Sequence, residues 1–250
     1  MCSQSNNEGN DFSEAFYEQH AKRYATVAHE FFQSVYTESS DSGLKSDLDL
    51  QHRLKELIPG KCGLDAGFGV GARDVHAFWT QGYDIWGIDA VPENISVANE
   101  WHPEIQDRLK VHDLRKPLPF EDACFDFVMC NAVIQHIEPE DVFETVLPEF
   151  VRVLRPEGIL QLMFKNGVGT EVIYDKDYCA DRCFRLYDEN KILDALEDRG
   201  MDIVESEHDR LGGLMGFVDP KGSRHCAMFL KASEQGMNCA ADELNGPSGP

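Results

Sequence analysis

The clearest candidates for chemistry are a run of glycines and the acidic residues on either side of it. Asp65, Gly67, Gly69 and Gly71 follow the apolar residues of a short predicted strand. Glycines there permit a tight turn and let a ligand approach the backbone closely. Asp89 ends the next predicted strand, where an acid can accept hydrogen bonds from both hydroxyls of a ribose. The pattern therefore predicts a ribose-containing ligand at the carboxyl ends of these strands.

Two kinds of ligand fit this turn. The spacing Gly67-x-Gly69-x-x-Ala72, with Asp89 about 20 residues further on, also matches the fingerprint of dinucleotide-binding proteins. Asp65 favours a different ligand, because a carboxylate suits the ammonium group of an amino acid better than a pyrophosphate, which needs positive potential. Asp113, after the third predicted strand, is placed to accept from an adenine amino group. An amino-acid-bearing nucleoside is therefore favoured, and a nicotinamide dinucleotide is the less favoured alternative.

Alternating strands and helices must position these residues. Strands are predicted at 61–66, 83–88, 109–112, 125–130, 159–164, 201–207 and 224–231. Helices are predicted at 12–39, 47–57, 71–80, 92–101, 139–154 and 188–199, and Pro148 should kink or split the fifth of these. The long segment 167–187 is expected to be a loop.

This order predicts an α/β fold with a Rossmann-like, seven-stranded, mostly parallel sheet and helices on both faces. The last two strands are joined only by a glycine-rich loop, so one edge strand should run antiparallel. We expect one domain over residues 11–233, with a helical N-terminal extension over 11–58. The polar segments 1–10 and 234–250 are expected to be disordered. One glycine unit and 250 residues leave no room for a separate dehydrogenase substrate domain.

Composition restricts the class of partner. Asp and Glu number 45 against 23 Lys and Arg, a net charge of -22, which repels nucleic acid backbones and anionic lipids. No apolar run is long enough for a membrane span and no signal segment is visible, so a cytoplasmic protein is predicted. Eight cysteines are scattered, and the spacing of Cys179 and Cys183 is not the usual one for zinc. No metal site is expected.

The chain resembles the class I S-adenosylmethionine-dependent methyltransferases over about residues 12–232. The likeness rests on LDAGFGVG at 64–71, GIDA at 87–90, DL at 113–114, LPF at 118–120, FDFV at 125–128 and VLRPEG at 153–158. Phe68 departs from the family pattern by replacing a small residue or cysteine, and Glu157 replaces the first of two glycines. Asn131 is followed by Ala132, so the Asn-Pro-Pro-aromatic motif of enzymes that methylate adenine or glutamine amino groups is absent.

The resemblance implies a role for each matching position. The methionine part of the cofactor would contact Asp65, Gly67, Phe68, Gly69 and Gly71. The ribose would contact Asp89 and Ala90, the adenine would contact Asp113 and Leu114, and the sulfonium would lie beside Asn131 and Ala132. An early helix carrying Tyr17 and Tyr24 would fold over the cofactor as a lid, with Tyr24 toward the cofactor and Tyr17 toward the substrate. Packing of these two tyrosines on the sheet is an equal alternative.

Catalysis and acceptor binding are assigned to the same rim of the sheet. His136 is the first candidate for a general base, since it follows the fourth strand and imidazole titrates near neutral pH. Packing or cofactor contact is the alternative for His136, and His112 is more simply structural. Substrate contact is expected from four residues after the fifth strand, namely Lys165, Tyr174, Tyr178 and Arg182. Arg182, or less favourably Arg185, is suited to clamp a carboxylate or to pair with nearby acids.

The predicted function is transfer of a methyl group from S-adenosylmethionine to O, N or S of a small-molecule acceptor, with S-adenosylhomocysteine as the product. One alternative is a methyltransferase acting on RNA, such as tRNA, which the net charge disfavours. Another is a non-catalytic module that binds the cofactor on the same fold. A homodimer through the N-terminal helix is possible on this sequence, whereas membrane binding is not expected.

Overall fold

The computed structural model describes residues 35–233 together with Phe16, His20 and Arg23, which are helical. The termini expected to be disordered, 1–10 and 234–250, lie outside the described residues. Tyr17, Tyr24 and most of the predicted first helix lie outside them as well. Among the described residues, no helix is both long and apolar enough to cross a membrane.

Strands and helices alternate over the described part of the chain. The strands are β1 Cys62–Ala66, β2 Asp84–Asp89, β3 Leu109–Val111, β4 Phe125–Asn131, β5 Leu154–Lys165, β6 Gly169–Asp175, β7 Ala180–Leu186, β8 Met201–Ile203, β9 Met215–Val218 and β10 Arg224–Ala232. The helices are α1 Asp47–Leu57, α2 Arg73–Trp79, α3 Pro92–Trp101, α4 Pro139–Asp141, α5 Leu147–Val153 and α6 Glu189–Glu197. Short 3₁₀ turns form at Val70–Ala72, Pro103–Arg108 and Ile134–His136.

The main sheet has the strand order β3-β2-β1-β4-β5-β10-β8, and β9 also pairs with β10. Pairs among β1 to β5 are parallel, whereas β10 is antiparallel to β5, β8 and β9. The predicted mostly parallel sheet with antiparallel pairing toward one edge is therefore confirmed. Two details differ: β9 makes an eighth strand inside the expected glycine-rich loop, and the reversed strand β10 lies next to the edge.

The burial and length of the strands fit an interior position for β10 in the main sheet and an edge position for β8. Seven of the nine residues of β10 are buried, as an interior strand requires, whereas β8 has only three residues. Short edge strands offer little unpaired backbone to other chains. Each face of the sheet is covered by helices, as predicted. Val128 and Leu160 pack with α5 and α6 on one face, and Phe127 packs with α1 and α2 on the other.

The helix that contains Pro148 does not break there. Helix α4 continues through a π-helical turn, Val142–Val146, into α5. In that turn the Leu147 N–H donates to the Val142 carbonyl five residues earlier. A π turn absorbs the proline, which has no N–H to donate, without splitting the helix. The split predicted at Pro148 is therefore wrong, although the α-helical pattern is interrupted by the π turn that ends just before this proline.

A two-stranded antiparallel hairpin, β6 and β7, replaces the loop expected at 167–187. Its outward side carries Val172 and Tyr174, which are exposed, and its other side carries Ile173 and Asp175. The hairpin stands beside the carboxyl ends of β4 and β5, because Tyr187 donates its backbone N–H to the Lys165 carbonyl. It forms one wall of the candidate site.

Candidate active site

A cavity of about 740 Å³ lies where the strand order reverses between β1 and β4. Ligands of open α/β sheets bind at this point, outside the carboxyl ends of the strands. Most of the residues predicted from the sequence line it: Asp65, Gly67, Phe68, Gly69, Gly71, Asp89, Ala90, Asp113, Leu114, Asn131, Ala132, His136, Lys165 and Arg182.

Two predicted substrate residues lie elsewhere among the described residues. Tyr174 is exposed on the outer side of β6, because alternation along the strand turns Ile173 and Asp175 to the cavity instead. Tyr178 is buried at the hairpin turn, where its ring meets Phe16 at 5.1 Å between centroids. Neither tyrosine lines the cavity.

The glycine turn depends on glycine for space as well as for conformation. Gly67 has φ +90° and donates its N–H to the Ile88 carbonyl at 2.8 Å, which joins the turn to β2. A Cβ on Gly67 would lie 2.4 Å from a methyl group of Val133. Gly69 has φ +66° and donates to Asp89 Oδ2 at 2.9 Å. The turn and the acid at the end of β2 are thus fixed to one another.

Asp65 and Asp89 are two buried carboxyl groups at the same end of the cavity. Burial raises the pKa of Asp65 well above its usual range, and the charges of Asp74 and Asp89 raise it further. Burial also raises the pKa of Asp89, although hydrogen bonds from Gly69, Val91 and Asn94 oppose the shift. A cationic group of a ligand would stabilise both carboxylates, whereas a pyrophosphate would be repelled.

Further acidic residues that sequence reasoning missed lie on the same side. Asp47, the first residue of α1, accepts from the Tyr36 hydroxyl, and burial raises its pKa to about 6. Asp74 accepts from Gln51 at 2.8 Å. Arg73 pairs with Asp74 at 2.8 Å and lies 3.7 Å from Asp47. We call Asp47, Asp65, Asp74 and Asp89 the acidic end of the cavity. Asp47 and Asp74 fall in predicted helices, which gave no signal of a site.

Asp113, which follows β3, is a hydrogen-bond acceptor in the cavity wall, and Arg115 fixes its position. Its carboxylate accepts from the Arg115 side chain and from the Arg115 backbone N–H, both at 2.9 Å. Burial would raise the pKa of Asp113, but these hydrogen bonds outweigh it and hold the pKa below its usual range. Asp113 therefore stays ionised in the neutral range.

Gln161 presents an unsatisfied polar atom to the cavity. Its side chain is 1% exposed and donates to Asn131 Oδ1 at 3.0 Å, and Oε1 has no hydrogen-bond partner among the described residues. A buried polar group without a partner costs about 1–3 kcal/mol, which a ligand can recover. Sequence reasoning missed Gln161, although a glutamine inside the apolar run of β5 was a visible signal.

The opposite end of the cavity carries cations. Lys165 is 5% exposed at the end of β5, and its nearest carboxylate is Glu171 at 3.4 Å. Arg182 on β7 and Lys165 both lie against the Phe184 ring, at 4.8 and 4.4 Å from its centroid. His136 lies 5.4 Å from the same ring, and burial together with the charges of Arg182 and Lys165 lowers its pKa to about 3. We call Lys165, Arg182 and His136 the basic end.

Asp175 fixes the position of Arg182 at the basic end. It is 4% exposed and accepts from Arg182 at 3.0 Å and from Lys221 at 2.8 Å. Burial would raise the pKa of Asp175, but the two cations outweigh it and hold the pKa below its usual range. One carboxylate therefore fixes two cationic side chains from different elements. Arg185, the less favoured clamp, pairs with Glu138 and does not line the cavity.

The described residues of the N-terminal segment touch the hairpin. Phe16, His20 and Arg23 share one helical face by their spacing. The Phe16 and His20 rings contact Tyr178, and Arg23 donates to the Asp177 carbonyl at 3.0 Å. These three residues therefore contact the turn of the hairpin that carries part of the basic end.

Comparison with known proteins agrees with this geometry. Residues 64–162 match the family model described as a methyltransferase domain. Phosphoethanolamine N-methyltransferase 2 of Caenorhabditis elegans is 29% identical over 174 residues, 68% of this chain and 39% of that protein. Malonyl acyl-carrier-protein O-methyltransferase of Herminiimonas arsenicoxydans is 26% identical over 167 residues, 63% of this chain and 59% of that protein. The chain thus spans less than two thirds of the length of these curated relatives.

Solved structures share the fold. The 1,6-didemethyltoxoflavin-N1-methyltransferase of Burkholderia thailandensis, solved with bound 1,6-didemethyltoxoflavin and S-adenosylhomocysteine, superposes with a TM-score of 0.57 at 18% identity. The match covers 93% of this chain and 94% of that one. Residues 64–162 thus match a methyltransferase domain, as the resemblance seen in the sequence predicts, and the solved structure shows that the chain shares the fold of that enzyme.

Proposed function

We propose that this chain binds S-adenosylmethionine and transfers its methyl group to a small acceptor that carries an anionic group. The observation that carries the proposal is one cavity with an acidic end beside the glycine turn and a basic end beside β5 and β7. The methyltransferase match over 64–162 supports the reaction class.

The residues present fit the cofactor. The cavity volume lies within the range of roughly 300–1,000 Å³ that ligand pockets occupy. Asp65 suits the ammonium group, Asp89 the ribose hydroxyls and Asp113 the adenine amino group, because each is an acceptor at the cavity wall. The unsatisfied Gln161 Oε1 adds an acceptor next to Asn131.

The acidic end selects a cationic cofactor. S-adenosylmethionine supplies a methyl carbon that is already activated by the positive sulfonium. Asp65 and Asp89 are buried beside further carboxylates, so they stabilise positive charge and disfavour the diphosphate of a nicotinamide dinucleotide. We assign Gly67, Phe68, Gly69, Gly71, Ala90, Leu114, Asn131 and Ala132 to cofactor contact as well.

The basic end suits an acceptor with a carboxylate or phosphate. Lys165 and Arg182 lie on one aromatic ring and repel one another, which contributes to the lowered pKa of Lys165 beside the larger effect of burial. An anionic group between them would relieve that repulsion and form charge-assisted hydrogen bonds. It would orient the acceptor's nucleophile toward the acidic end, which is the main contribution an enzyme makes to an in-line displacement.

His136 acts as a base only after the acceptor has bound. Its pKa of about 3 leaves the free imidazole neutral but weakly basic. Neutralising Lys165 and Arg182 removes two of the three causes of that low pKa, so a ring nitrogen becomes a better proton acceptor. An acceptor whose nucleophile is a neutral amine needs no such base before the methyl group is transferred.

Thermal unfolding with S-adenosylmethionine, S-adenosylhomocysteine or NAD tests the cofactor assignment. At about 100 times the dissociation constant, each sulfur compound should raise Tm by roughly 5–10 °C and NAD should not. Asp89→Asn should weaken S-adenosylhomocysteine about 10- to 100-fold. Asp84→Asn, on the exposed start of the same strand, is the control. Stabilisation by NAD alone would reject the assignment.

Paired acceptors test the substrate class. Amines, phenols and thiols are compared in forms with and without a carboxylate or phosphate, and methylation should be confined to the anionic forms. Lys165→Met and Arg182→Gln should raise KM about 10- to 100-fold while the affinity for S-adenosylhomocysteine is unchanged. Lys176→Met, an exposed residue of the same hairpin, should change neither. Equal rates on neutral acceptors would refute the anionic class.

Several finer predictions belong to this proposal. We infer that tRNA is not a substrate, since the net charge of -22 opposes binding to a phosphate backbone. The cytoplasmic location, the single domain over 11–233, the lid carrying Tyr17 and Tyr24, and the homodimer remain predictions.

A further inference from the structure

Three metal-ligating side chains converge at the rim of the cavity, outside the residues assigned to the cofactor. His76 lies on α2, His102 follows the last residue of α3, and Glu104 lies in the 3₁₀ turn Pro103–Arg108. One ligand atom from each lies within 4.8 Å of the other two. His76 Nε2 is 2.9 Å from Glu104 Oε1, and His102 Nδ1 is 4.0 Å from the same oxygen.

We propose that His76, His102 and Glu104 bind one divalent transition-metal ion of the zinc class. Imidazole and carboxylate bind zinc at about 2.0–2.2 Å, which places neighbouring ligand atoms of a tetrahedral site about 3–3.5 Å apart. The two distances to Glu104 lie on either side of that value. Rotation of the side chains, which brings the His102 nitrogen closer to Glu104 and turns one imidazole out of the stack, would close the site.

The surroundings bring all three side chains within reach of one ion. The rings of His76 and His102 stack at 3.8 Å with an interplanar angle of 12°, so the imidazoles are already adjacent, and one ring must turn out of the stack for both nitrogen lone pairs to point at the same ion. A hydrogen bond between His76 and Glu104 leaves His102 without a comparable contact to the carboxylate, whereas a metal engages all three. The net charge of -22 also raises the local concentration of divalent cations.

The site would join two elements that flank the glycine turn. Trp101, next to His102, packs so closely on Gly71 that a Cβ there would lie 2.7 Å from the indole ring. His76 and His102 both line the cavity rim. Three protein ligands leave a fourth position for water or another donor. The metal would thus cross-link α2 to the segment after α3 and stabilise the folded chain.

Titration of the full, reduced chain with Co(II) tests the site. One Co(II) should bind per chain and give visible d–d bands. Thiolate charge-transfer bands should be absent, and their absence would exclude the eight cysteines as ligands. His76→Ala, His102→Ala and Glu104→Gln should each weaken binding at least about tenfold. His208→Ala, which removes a 97% exposed histidine, is the matched control.

Two measurements of Tm distinguish loss of the metal site from loss of the fold. Tm of each metal-free variant reports whether it folds, and zinc should raise Tm of the wild type but not of the His76 variant. The inference is overturned if His76→Ala and His102→Ala retain wild-type affinity, or if bound Co(II) shows thiolate charge transfer. Binding of S-adenosylhomocysteine is measured separately, so a failure of the metal site leaves the proposed function untouched.

Discussion

Burial raises the pKa of three aspartates of the acidic end, Asp47, Asp65 and Asp89, so their ionised forms are a cost to folding, and Asp47 allows that cost to be measured. Burial raises its pKa in the folded chain to about 6, from an ordinary value of 3.8. Above pH 6 the folded state must bury an ionised carboxylate, and below pH 4 it does not. This group therefore makes the protein less stable as the pH rises from about 4 to about 6, which is opposite in sign to a salt-bridged carboxylate.

Asp47→Asn should remove that effect. At pH 7 the variant should be more stable than the wild type by about 1–3 kcal/mol, and at pH 4 the two should be nearly equal. Urea unfolding at both pH values gives the two differences, in which the contributions of other groups cancel. Asp49→Asn, in the same helix turn, is the control. A difference that does not change between the two pH values would contradict the burial of an ionised Asp47.

A substitution at Gly67 tests whether the glycine turn requires glycine for its backbone conformation or for the space around it. Gly67→Ala adds a methyl group both at positive φ and 2.4 Å from Val133. Gly222→Ala adds one at φ +85° with nothing within 4 Å, so it carries the conformational strain alone. We expect the Gly67 variant to lose about 1–3 kcal/mol more stability than the Gly222 variant. Adding Val133→Ala should recover much of that excess, and a failure to recover it would show that the contact with Val133 is not the cause.

At the scale of elements, the hairpin of β6 and β7 forms one wall of the cavity. Asp175 of this hairpin fixes two cationic side chains, because Arg182 and Lys221 both pair with it. Removing one partner of a buried ion pair leaves uncompensated charge, which costs about 3–5 kcal/mol when burial is complete. Lys221 is about a quarter exposed, so the loss here should be smaller.

Asp175→Asn should therefore destabilise the chain by about 2–4 kcal/mol at pH 7. Because the folded pKa of Asp175 is lowered, this contribution should be fully present above about pH 4 and be lost as the pH falls further, through the folded pKa. Asp181→Asn, an exposed residue of the same hairpin, is the matched control for denaturant unfolding. Equal stability of the two variants would show that Asp175 does not organise the basic end.

The same hairpin shows which part of the site could not be predicted from the sequence. The glycine turn and the acids that follow β1, β2 and β3 could be predicted, because local spacing fixes them to strand ends. The segment 167–187 looked like a loop since it is long and rich in charged residues, yet two of these, Asp175 and Arg182, line a cavity that only the folded chain creates. Asp47 and Asp74 were missed for a related reason, as their role depends on two helices packing beside β1.

The histidine pair and the helix that contains Pro148 show a second limit of prediction from the sequence. His76 and His102 are separated by a strand and a helix, so no short motif joins them. Pro148 was expected to kink or split a helix from its local effect alone. The chain instead stays helical through a π turn, and Phe150 and Val153 of α5, which follow the proline, are fully buried in the core. Packing beyond the neighbouring residues decides such cases.

At the scale of the whole molecule, the net charge of -22 opposes compaction. Like charges repel over distances of about 10 Å at 0.1 M salt, and the repulsion is screened as the ionic strength rises. The ion pairs that salt also weakens are mostly exposed on at least one side, and such pairs contribute about 0–1 kcal/mol each. We therefore expect screening of the repulsion to exceed the loss of attraction.

The free energy of unfolding in urea should accordingly rise as NaCl increases from about 0.02 to 0.5 M. A chelator is present throughout, so that trace divalent ions at His76, His102 and Glu104 do not contribute. Repeating the series with choline chloride separates general screening from specific binding of sodium, since only screening gives the same slope with both salts. A fall in stability with either salt would mean that attraction among the paired side chains outweighs the excess of negative charge.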